Sequence, residues 1–279
     1  LKLNGALHYR ITNNLEAIYQ YNYGMGTASY TGSSRFDLNN FGLQTHRVEL
    51  KGSNFFIRSY AVMENSGDSY NTRTLAESIN RDWVKDLNGN VVTPGNADAM
   101  WFTRYADAYN GTIAGVTSGN NNAARAFADQ GRFLPNSTAF NSAKDSSIHN
   151  YGLSGSGVLS KSKFYHTEGQ YDFSNSIKLF ELLAGGSYRY YDMNSDGTLF
   201  DDKDHKITIN EYGAFVQAAK KLLDDKLKLT ASLRYDKDEN FTGSFTPRFS
   251  AVYTVDKTQN FRASYQTGFR NPTPVDQFI

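Results

Sequence analysis

The segment 192–197 carries oxygen-bearing side chains at alternate positions. Asp192, Asn194 and Asp196 stand at its first, third and fifth positions, and Gly197 stands at the sixth. Carboxylate and amide oxygens at this spacing, with glycine for a sharp turn, are typical of the start of a calcium-binding loop. Lys203 occupies the twelfth position, where an EF-hand needs a bidentate glutamate. The same residues suit an Asn/Asp/Gly-rich turn between two strands, so both interpretations stay open, and no other cofactor is predicted.

Residue types that carry covalent catalysis are absent or badly spaced. The chain has no cysteine, which excludes a thiolate nucleophile and Cys-based metal sites. None of its five histidines forms an HxxxH or HxH pair. His205, with the nearby carboxylates of Asp201, Asp202 and Asp204, is the only local cluster that a hydrolase would use. We predict no catalytic residues and no enzymatic activity.

Three arginines occupy the same phase of three successive segments in which apolar and polar residues alternate. They are Arg234, Arg248 and Arg262. Guanidinium groups on one wall would attract an anionic ligand or an acidic protein surface. A row of solvated charges is an equal alternative. Both interpretations require these segments to be neighbouring strands with one wet face.

Alternation with a period of two runs through most of the chain. In the last three segments Leu229, Phe249 and Tyr265 mark the apolar positions, and charged or hydroxyl residues lie between them. A lipid-facing exterior and a wet lumen produce this pattern in transmembrane β-barrels. It predicts an all-β, antiparallel fold of about ten strands. They are 1–11, 15–23, 45–52, 55–64, 165–173, 180–190, 211–221, 227–236, 245–255 and 261–270.

The connections alternate between tight turns and longer loops. The longer ones are 24–42, 65–162, 192–206 and 236–244. Outer-membrane barrels have short periplasmic turns and long extracellular loops. A strand of about ten residues at roughly 3.3 Å each, tilted by about 45°, also covers roughly 23 Å, close to the apolar band of such barrels. A soluble β-rich domain is the alternative, and it has no reason to keep its long loops at one end.

The segment 65–162 is too long for a simple loop. Helix-like stretches at 72–86, 97–109 and 122–130 predict a small, partly helical extracellular unit. Trp101 and Tyr105 suit stacking on sugars or aromatic ligands, so the unit is a candidate for gripping substrate or a partner lipoprotein. Alternatively, these aromatic residues form the core of the unit, which is the favoured interpretation for Trp83.

Composition excludes several classes of protein. The net charge of +1 gives no electrostatic case for nucleic-acid binding. The sequence contains no run of about 18 apolar residues, so it predicts no transmembrane helix. The chain starts inside a predicted strand at Leu1 without a signal-peptide pattern, so we expect a mature chain or part of a longer one.

The segment 263–273 closely resembles the C-terminal-half signature of TonB-dependent outer-membrane receptors, which carry a G-F-R-x-P element at the outer end of a strand. Here the element is Gly268, Phe269, Arg270 and Pro272. On the alternation, Arg270 points to the lumen near the extracellular rim, where it would contact a plug domain or an anionic ligand, or pair with a neighbouring carboxylate. Further segments resemble the Bacteroidetes branch of the family. They are 169–173, 186–189, 210–213, 229–236 and 246–251.

The resemblance implies part of a 22-stranded barrel in the outer membrane of a Gram-negative, Bacteroidetes-type bacterium. Residues 1–64 and 163–279 would form barrel strands around the insertion 65–162, with the plug domain and the other strands absent. Such receptors import scarce nutrients with energy from the TonB complex. The expected partners are membrane lipid, the plug, TonB, a small-molecule, glycan or peptide ligand, and a surface lipoprotein. A passive porin or structural barrel is the alternative, followed by a ten-stranded outer-membrane protease.

Overall fold

The computed structural model describes residues 1–32, 34–152, 155–256 and 258–278. Its main feature is one antiparallel sheet. The strands are β1 (Lys2–Thr12), β2 (Leu15–Thr31), β3 (Arg35–Gly52), β4 (Phe55–Asn65), β5 (Tyr70–Asn71), β6 (Lys163–Asp172), β7 (Glu181–Met193), β8 (Ile207–Leu222), β9 (Leu227–Asp238), β10 (Ser244–Thr254) and β11 (Asn260–Gln266). Sheet order follows chain order, except that the short β5 pairs with β3 and β4 pairs with β6. The predicted all-β antiparallel fold is confirmed.

The register places like residues on the same side of the sheet. Phe249 of β10 lies opposite Ala231 of β9 and Tyr265 of β11, whereas the next residue, Ser250, lies opposite Thr230. Side chains alternate across a strand, so these two rungs face opposite sides. We call the side of Phe249 the apolar face and the side of Ser250 the polar face.

Several strand ends differ from the prediction. The sequence predicts a long loop over 24–42, but β2 continues to Thr31 and β3 begins at Arg35. With 17 and 18 residues, both strands exceed the about 9–11 residues that cross a bilayer. Strand pairing in water needs no apolar alternation, so the sequence pattern does not reveal where this hairpin ends. The predicted last strand is also too long, because β11 ends at Gln266, before the Gly268–Arg270 element.

The chain forms two compact units. The strand unit comprises Leu1–Met25, Gly42–Asn65 and Ser160–Ile279, and the helical unit comprises Gly26–Phe41 and Ser66–Leu159. The helices are α1 (Thr72–Arg81), α2 (Pro94–Asn110), α3 (Asn121–Ala128) and α4 (Thr138–Ile148) in the helical unit and α5 (Pro274–Phe278) in the strand unit. The first three overlap the predicted helical stretches, whereas α4 is not predicted. Among the described residues, every helix is too short or too polar to cross a bilayer.

Local sequence explains where the helices begin. The Asn71 carboxamide accepts hydrogen bonds from two backbone N–H groups of α1, and Asn120 and Ser137 cap α3 and α4 in the same way. Pro94 opens α2, where its missing N–H costs nothing. The helices bury two apolar clusters. One comprises Tyr70, Leu75, Ile79, Ala143 and Ile148, and the other comprises Trp83, Val84 and Ala97.

A buried arginine cross-links the helical unit. Arg104 of α2 is only 3% exposed, and its guanidinium donates hydrogen bonds to the carbonyl oxygens of Asp86 at 2.7 Å and Phe127 at 2.8 Å. The same group lies 4.6 Å from the centroid of the Phe127 ring. Burial lowers the pKa of Arg104 from its ordinary value. The carbonyl acceptors compensate for this desolvation, so Arg104 ties α2 to the segments on either side of it.

Tyr70 gives the helical unit a pH-dependent contribution to its stability. Its hydroxyl donates a 2.6 Å hydrogen bond to Asp37 Oδ2, and Lys144 Nζ lies 5.6 Å from the centroid of its ring. Burial, together with the hydrogen bond to Asp37 and its charge, raises the pKa of Tyr70 to about 12. The unfolded-state pKa is about 10, so this contribution is complete below pH ~10 and is lost as the pH rises toward about 12.

We therefore expect protease cleavage within 66–159 of the intact protein to increase between pH ~10 and ~12. Phenylalanine cannot ionise, so the Tyr70→Phe variant should lack this component of the pH profile. It should also be less stable at neutral pH by about 1–2 kcal/mol, because the hydrogen bond to Asp37 is lost. Cleavage is measured with a protease that stays active at high pH, with Tyr109→Phe as the control for an exposed tyrosine. A Tyr70→Phe variant with the unaltered pH profile would contradict the assignment.

Candidate functional site

Charged groups meet in register on the polar face of the strand unit. One rung across six strands consists of Arg47, Tyr60, His166, Arg189, Glu211 and Asp238. Arg189 donates to Glu211 Oε2 at 2.9 Å and to His166 Nδ1 at 3.2 Å, and the His166 ring stacks on Tyr60 with centroids 4.9 Å apart. On the adjacent rung Arg58 pairs with Glu168. These contacts form a band of charged and aromatic side chains across the polar face, in which Arg189 and Arg58 are paired with glutamates.

The three arginines predicted to share a wall do lie on the polar face, but their environments differ. The guanidinium of Arg234 pairs with Asp236 on the same strand, with Nη2 2.6 Å from Oδ1. Arg262 donates to the Asn260 amide oxygen at 3.0 Å. Arg248 is exposed, and its guanidinium makes no hydrogen bond or ion pair with any residue the structure describes. Arg248 and Arg262 are therefore the two cations of this group that are available to a ligand.

Arg270 lies beyond the end of β11 and not within a strand. It lines a cavity of about 290 Å³ on the polar side of β7–β9, together with Arg189, Glu211, Asp236 and Asp238. Phe269 and Pro272 line the same cavity, whereas Gly268 precedes it. Three carboxylates and two guanidinium groups at one cavity can bind a polar ligand that both donates and accepts hydrogen bonds. The same geometry suits a structural role, in which Arg270 balances the carboxylates.

The segment after Pro272 is held by a reciprocal cap. Thr273 N and Oγ1 donate to Asp276 Oδ2 at 2.9 and 2.7 Å, and Asp276 N donates back to Thr273 Oγ1 at 3.3 Å. These hydrogen bonds from Thr273 lower the pKa of Asp276 from its ordinary value. The cap fixes the chain direction immediately after the Arg270 element.

The loop between β7 and β8 is organised around Asp202. Its carboxylate accepts from Ser195 Oγ at 2.7 Å and from Gly197 N at 2.8 Å. Partial burial opposes ionisation of Asp202, but the hydrogen bonds from Ser195 and Gly197 outweigh it and lower its pKa. Asp202 therefore holds this turn together by accepting hydrogen bonds from inward-pointing O–H and N–H groups, whereas a calcium loop directs oxygen acceptors inward.

The residues of the predicted calcium site have other neighbours. Asp192 pairs with Lys206 at 3.3 Å, the backbone of Asn194 bonds to Lys161 and Ser162, and Asp196 takes a left-handed backbone conformation with φ of 50°. Within the described ranges, no cluster of three His, Asp or Glu side chains is arranged to hold a metal ion. Calcium binding stays a prediction.

Trp101 and Tyr105 lie on α2 of the helical unit. Trp101 Nε1 donates to Asp129 Oδ1 at 2.9 Å, and the Tyr105 hydroxyl donates to Asn121 Oδ1 at 2.6 Å. Their rings are nearly parallel, with centroids 5.6 Å apart. Trp101 also lines a cavity of about 250 Å³ with Phe102 and Trp83. The indole N–H and the phenol O–H are thus already hydrogen-bonded within the unit, so a ligand would contact the faces of the two rings.

Sequence reasoning missed the charged band on β3–β9. The Arg47–Glu49 and Arg234–Asp236 pairs could have been predicted from the sequence, because residues two apart on a strand share a face. The Arg58–Glu168 and Arg189–Glu211 pairs were not, because they depend on strand register.

Comparison with known families gives a match over almost the entire chain. A model of the family described as TonB dependent receptor-like, beta-barrel matches residues 2–279. No protein with curated annotation matches the chain.

Solved structures share the fold at low sequence identity. The siderophore receptor PirA from Pseudomonas aeruginosa aligns with a TM-score of 0.52 and 13% identity, over 98% of this chain and 34% of its own. Two mutants of the ferric enterobactin receptor PfeA from the same organism align with TM-scores of 0.54 and 0.56 and identities of 11% and 12%. The two alignments cover 95% and 99% of this chain and 32% and 34% of the receptor chains. The chain thus spans about a third of these structures, and the similarity concerns the fold.

Proposed function

The chain belongs to the TonB-dependent receptor-like β-barrel family, and on this basis we propose that it is part of a transporter that imports a scarce nutrient. Family members are outer-membrane proteins of Gram-negative bacteria and are transporters, not enzymes. We propose that the nutrient binds outside the cell and passes to the periplasm with energy delivered by TonB. The match of the family over residues 2–279 is the observation that carries this proposal.

The polar face is the proposed lumenal wall. An aqueous path for a polar cargo needs hydrogen-bonding and charged groups that water can solvate, and Arg248, Arg262 and the cavity at Arg270 provide them. The exposed cations favour a ligand with anionic groups or an acidic surface of the plug domain. Trp101 and Tyr105 of the helical unit provide aromatic surface for a first contact with the ligand outside the membrane.

The proposed partners are those the family uses. They are the plug domain, the TonB complex, membrane lipid and a small-molecule, glycan or peptide ligand, with a surface lipoprotein as a further candidate. The segments that resemble the Bacteroidetes branch, such as 169–173 and 246–251, support a bacterium of that group as the source.

Growth on limiting nutrients tests the transport function directly. A strain that lacks the gene should lose growth on one nutrient, and the intact gene should restore both growth and uptake of the labelled nutrient. Deletion of TonB should abolish the restored uptake. Uptake that persists at the same rate without TonB would identify a passive barrel and overturn the proposal.

The two available cations should affect uptake once the nutrient is known. We expect Arg248→Gln combined with Arg262→Gln to reduce uptake at low nutrient concentration about tenfold, the equivalent of ~1.4 kcal/mol, since both variants remove charge from the lumenal wall. Lys226→Gln is the matched control, because Lys226 lies in the β8–β9 turn and not on the wall. A direct binding measurement separates the two roles. If the arginines contact the ligand, the double variant should bind the nutrient with lower affinity, whereas if they contact the plug domain, it should lose uptake and keep its affinity. Unchanged uptake would exclude both.

A further inference from the structure

Small side chains form a trough on the apolar face of β8–β11. Ala218 lies opposite Ala231 on one rung, and Ala251 lies opposite Ala263 on the next rung toward the tight turns. The larger side chains of Phe180, Leu229, Phe249 and Tyr265 stand around these four alanines. The trough has a volume of about 710 Å³. The short alanine side chains leave the sheet backbone open, so lipid can approach it closely here.

A group of lysines lies at one end of the trough. A second cavity of about 260 Å³ shares Phe180 and Lys220 with it and is also lined by Lys178 and Lys221. This end adjoins the tight β8–β9 connection after Leu222, and tight connections face the periplasm in such barrels. Lys178 and Lys220 therefore lie near the headgroups of the periplasmic leaflet.

Carboxylates do not neutralise this cluster completely. Glu181 lines the second cavity, but Lys228 from the polar face pairs with it at 2.8 Å. Lys221 lies opposite Lys228 on the polar face and has a distant partner in Asp225 at 3.9 Å, so it is not part of the lipid-facing group. Lys220 is exposed on the apolar face and has no ion pair among the residues described. A lysine on a lipid-facing rung is costly unless its ammonium group reaches the interface, and there it meets phosphate groups.

We propose that this trough and its lysines form a binding site for one anionic phospholipid of the periplasmic leaflet. An acyl chain fills the trough over the alanines, and the phosphate group contacts Lys220, with Lys178 beside it. The combination selects an anionic headgroup because the apolar part accepts the chain of any phospholipid, whereas the uncompensated cations attract negative charge. The site is distinct from the lumenal wall, since it lies on the opposite side of the sheet.

Native mass spectrometry of the intact receptor in detergent tests the site, with phosphatidylglycerol and phosphatidylcholine added as probes. We expect phosphatidylglycerol to bind about fivefold more tightly than phosphatidylcholine, the ratio that ~1 kcal/mol per interfacial lysine provides. Lys220→Gln should remove most of this preference, and Lys220→Arg should keep it. Lys163→Gln is the control and should have no effect, because Lys163 lies on the apolar face at the start of β6, away from the trough. Equal binding of the two lipids to the unmodified receptor would overturn the proposal.

A second pair of variants tests the trough itself. Ala231→Leu fills it and should weaken the binding of both lipids, whereas Ala184→Leu, on the same face but outside the trough, should not. Retained heat-modifiable gel mobility shows that each variant is folded. Equal binding by these two variants would overturn the site. Nutrient uptake is not part of either readout, so failure here leaves the transport proposal intact.

Discussion

Trp83→Ala should destabilise the helical unit by about 3–5 kcal/mol, the usual cost of removing a buried tryptophan side chain. Trp83 is 4% exposed and packs with Val84 and Ala97, while Met100 and Trp101 cover the cluster. A unit of this size has a total stability of about 5–15 kcal/mol, so the variant would be partly unfolded at 37 °C. Limited proteolysis of intact cells should then cut within 66–159.

Leu134→Ala is the matched control, because Leu134 is an apolar residue of the same unit that is 65% exposed. Its replacement should change stability by less than about 0.5 kcal/mol and leave the protease pattern unaltered. The strand unit should keep its heat-modifiable gel mobility in both variants, since its strands pair with one another. Equal resistance of Trp83→Ala and the unmodified receptor to protease would show that Trp83 does not belong to a core. Its ring would then be better explained as a ligand contact.

The strands were predictable because one face of each meets membrane hydrocarbon and the other meets water. Hydrocarbon requires an apolar residue at every second position, as at Leu229 and Phe249, and the lumen allows polar residues between them. The ends of β2 and β3 were not predictable, because beyond the membrane both faces meet water. Glycines such as Gly24 and Gly26 then resemble turn signals although they lie within a strand.

The candidate site was predictable in composition but not in geometry. Alternation alone placed Arg234, Arg248 and Arg262 on one face. It did not show that Asp236 neutralises Arg234 while Arg248 stays available, although the i, i+2 spacing of the first pair is visible in the sequence. Nor did it show that β11 ends before Arg270, because Phe269 and Arg270 continue the alternation after pairing with β10 has stopped at Gln266.

Phe249→Arg should reduce the free energy of unfolding of the barrel by about 2–4 kcal/mol, the cost of arginine at the bilayer midplane of a transmembrane barrel. Phe249 lies in the middle of β10, on the apolar face between Ala231 and Tyr265. Hydrocarbon cannot solvate the guanidinium, and neither neighbour carries a carboxylate that could pair with it. Urea-induced unfolding of the intact receptor in phospholipid vesicles measures the loss.

Ser250→Arg is the matched control, one residue away on the same strand and facing Thr230 on the polar side. The new guanidinium would be solvated in the lumen, so we expect a change of no more than about 0.5 kcal/mol, part of it repulsion from Arg248. The two variants introduce the same side chain at the same depth in the same strand, so the difference between them isolates the solvent on each face. Equal losses would mean that both faces of β10 meet the same medium, and the membrane assignment of this sheet would fail.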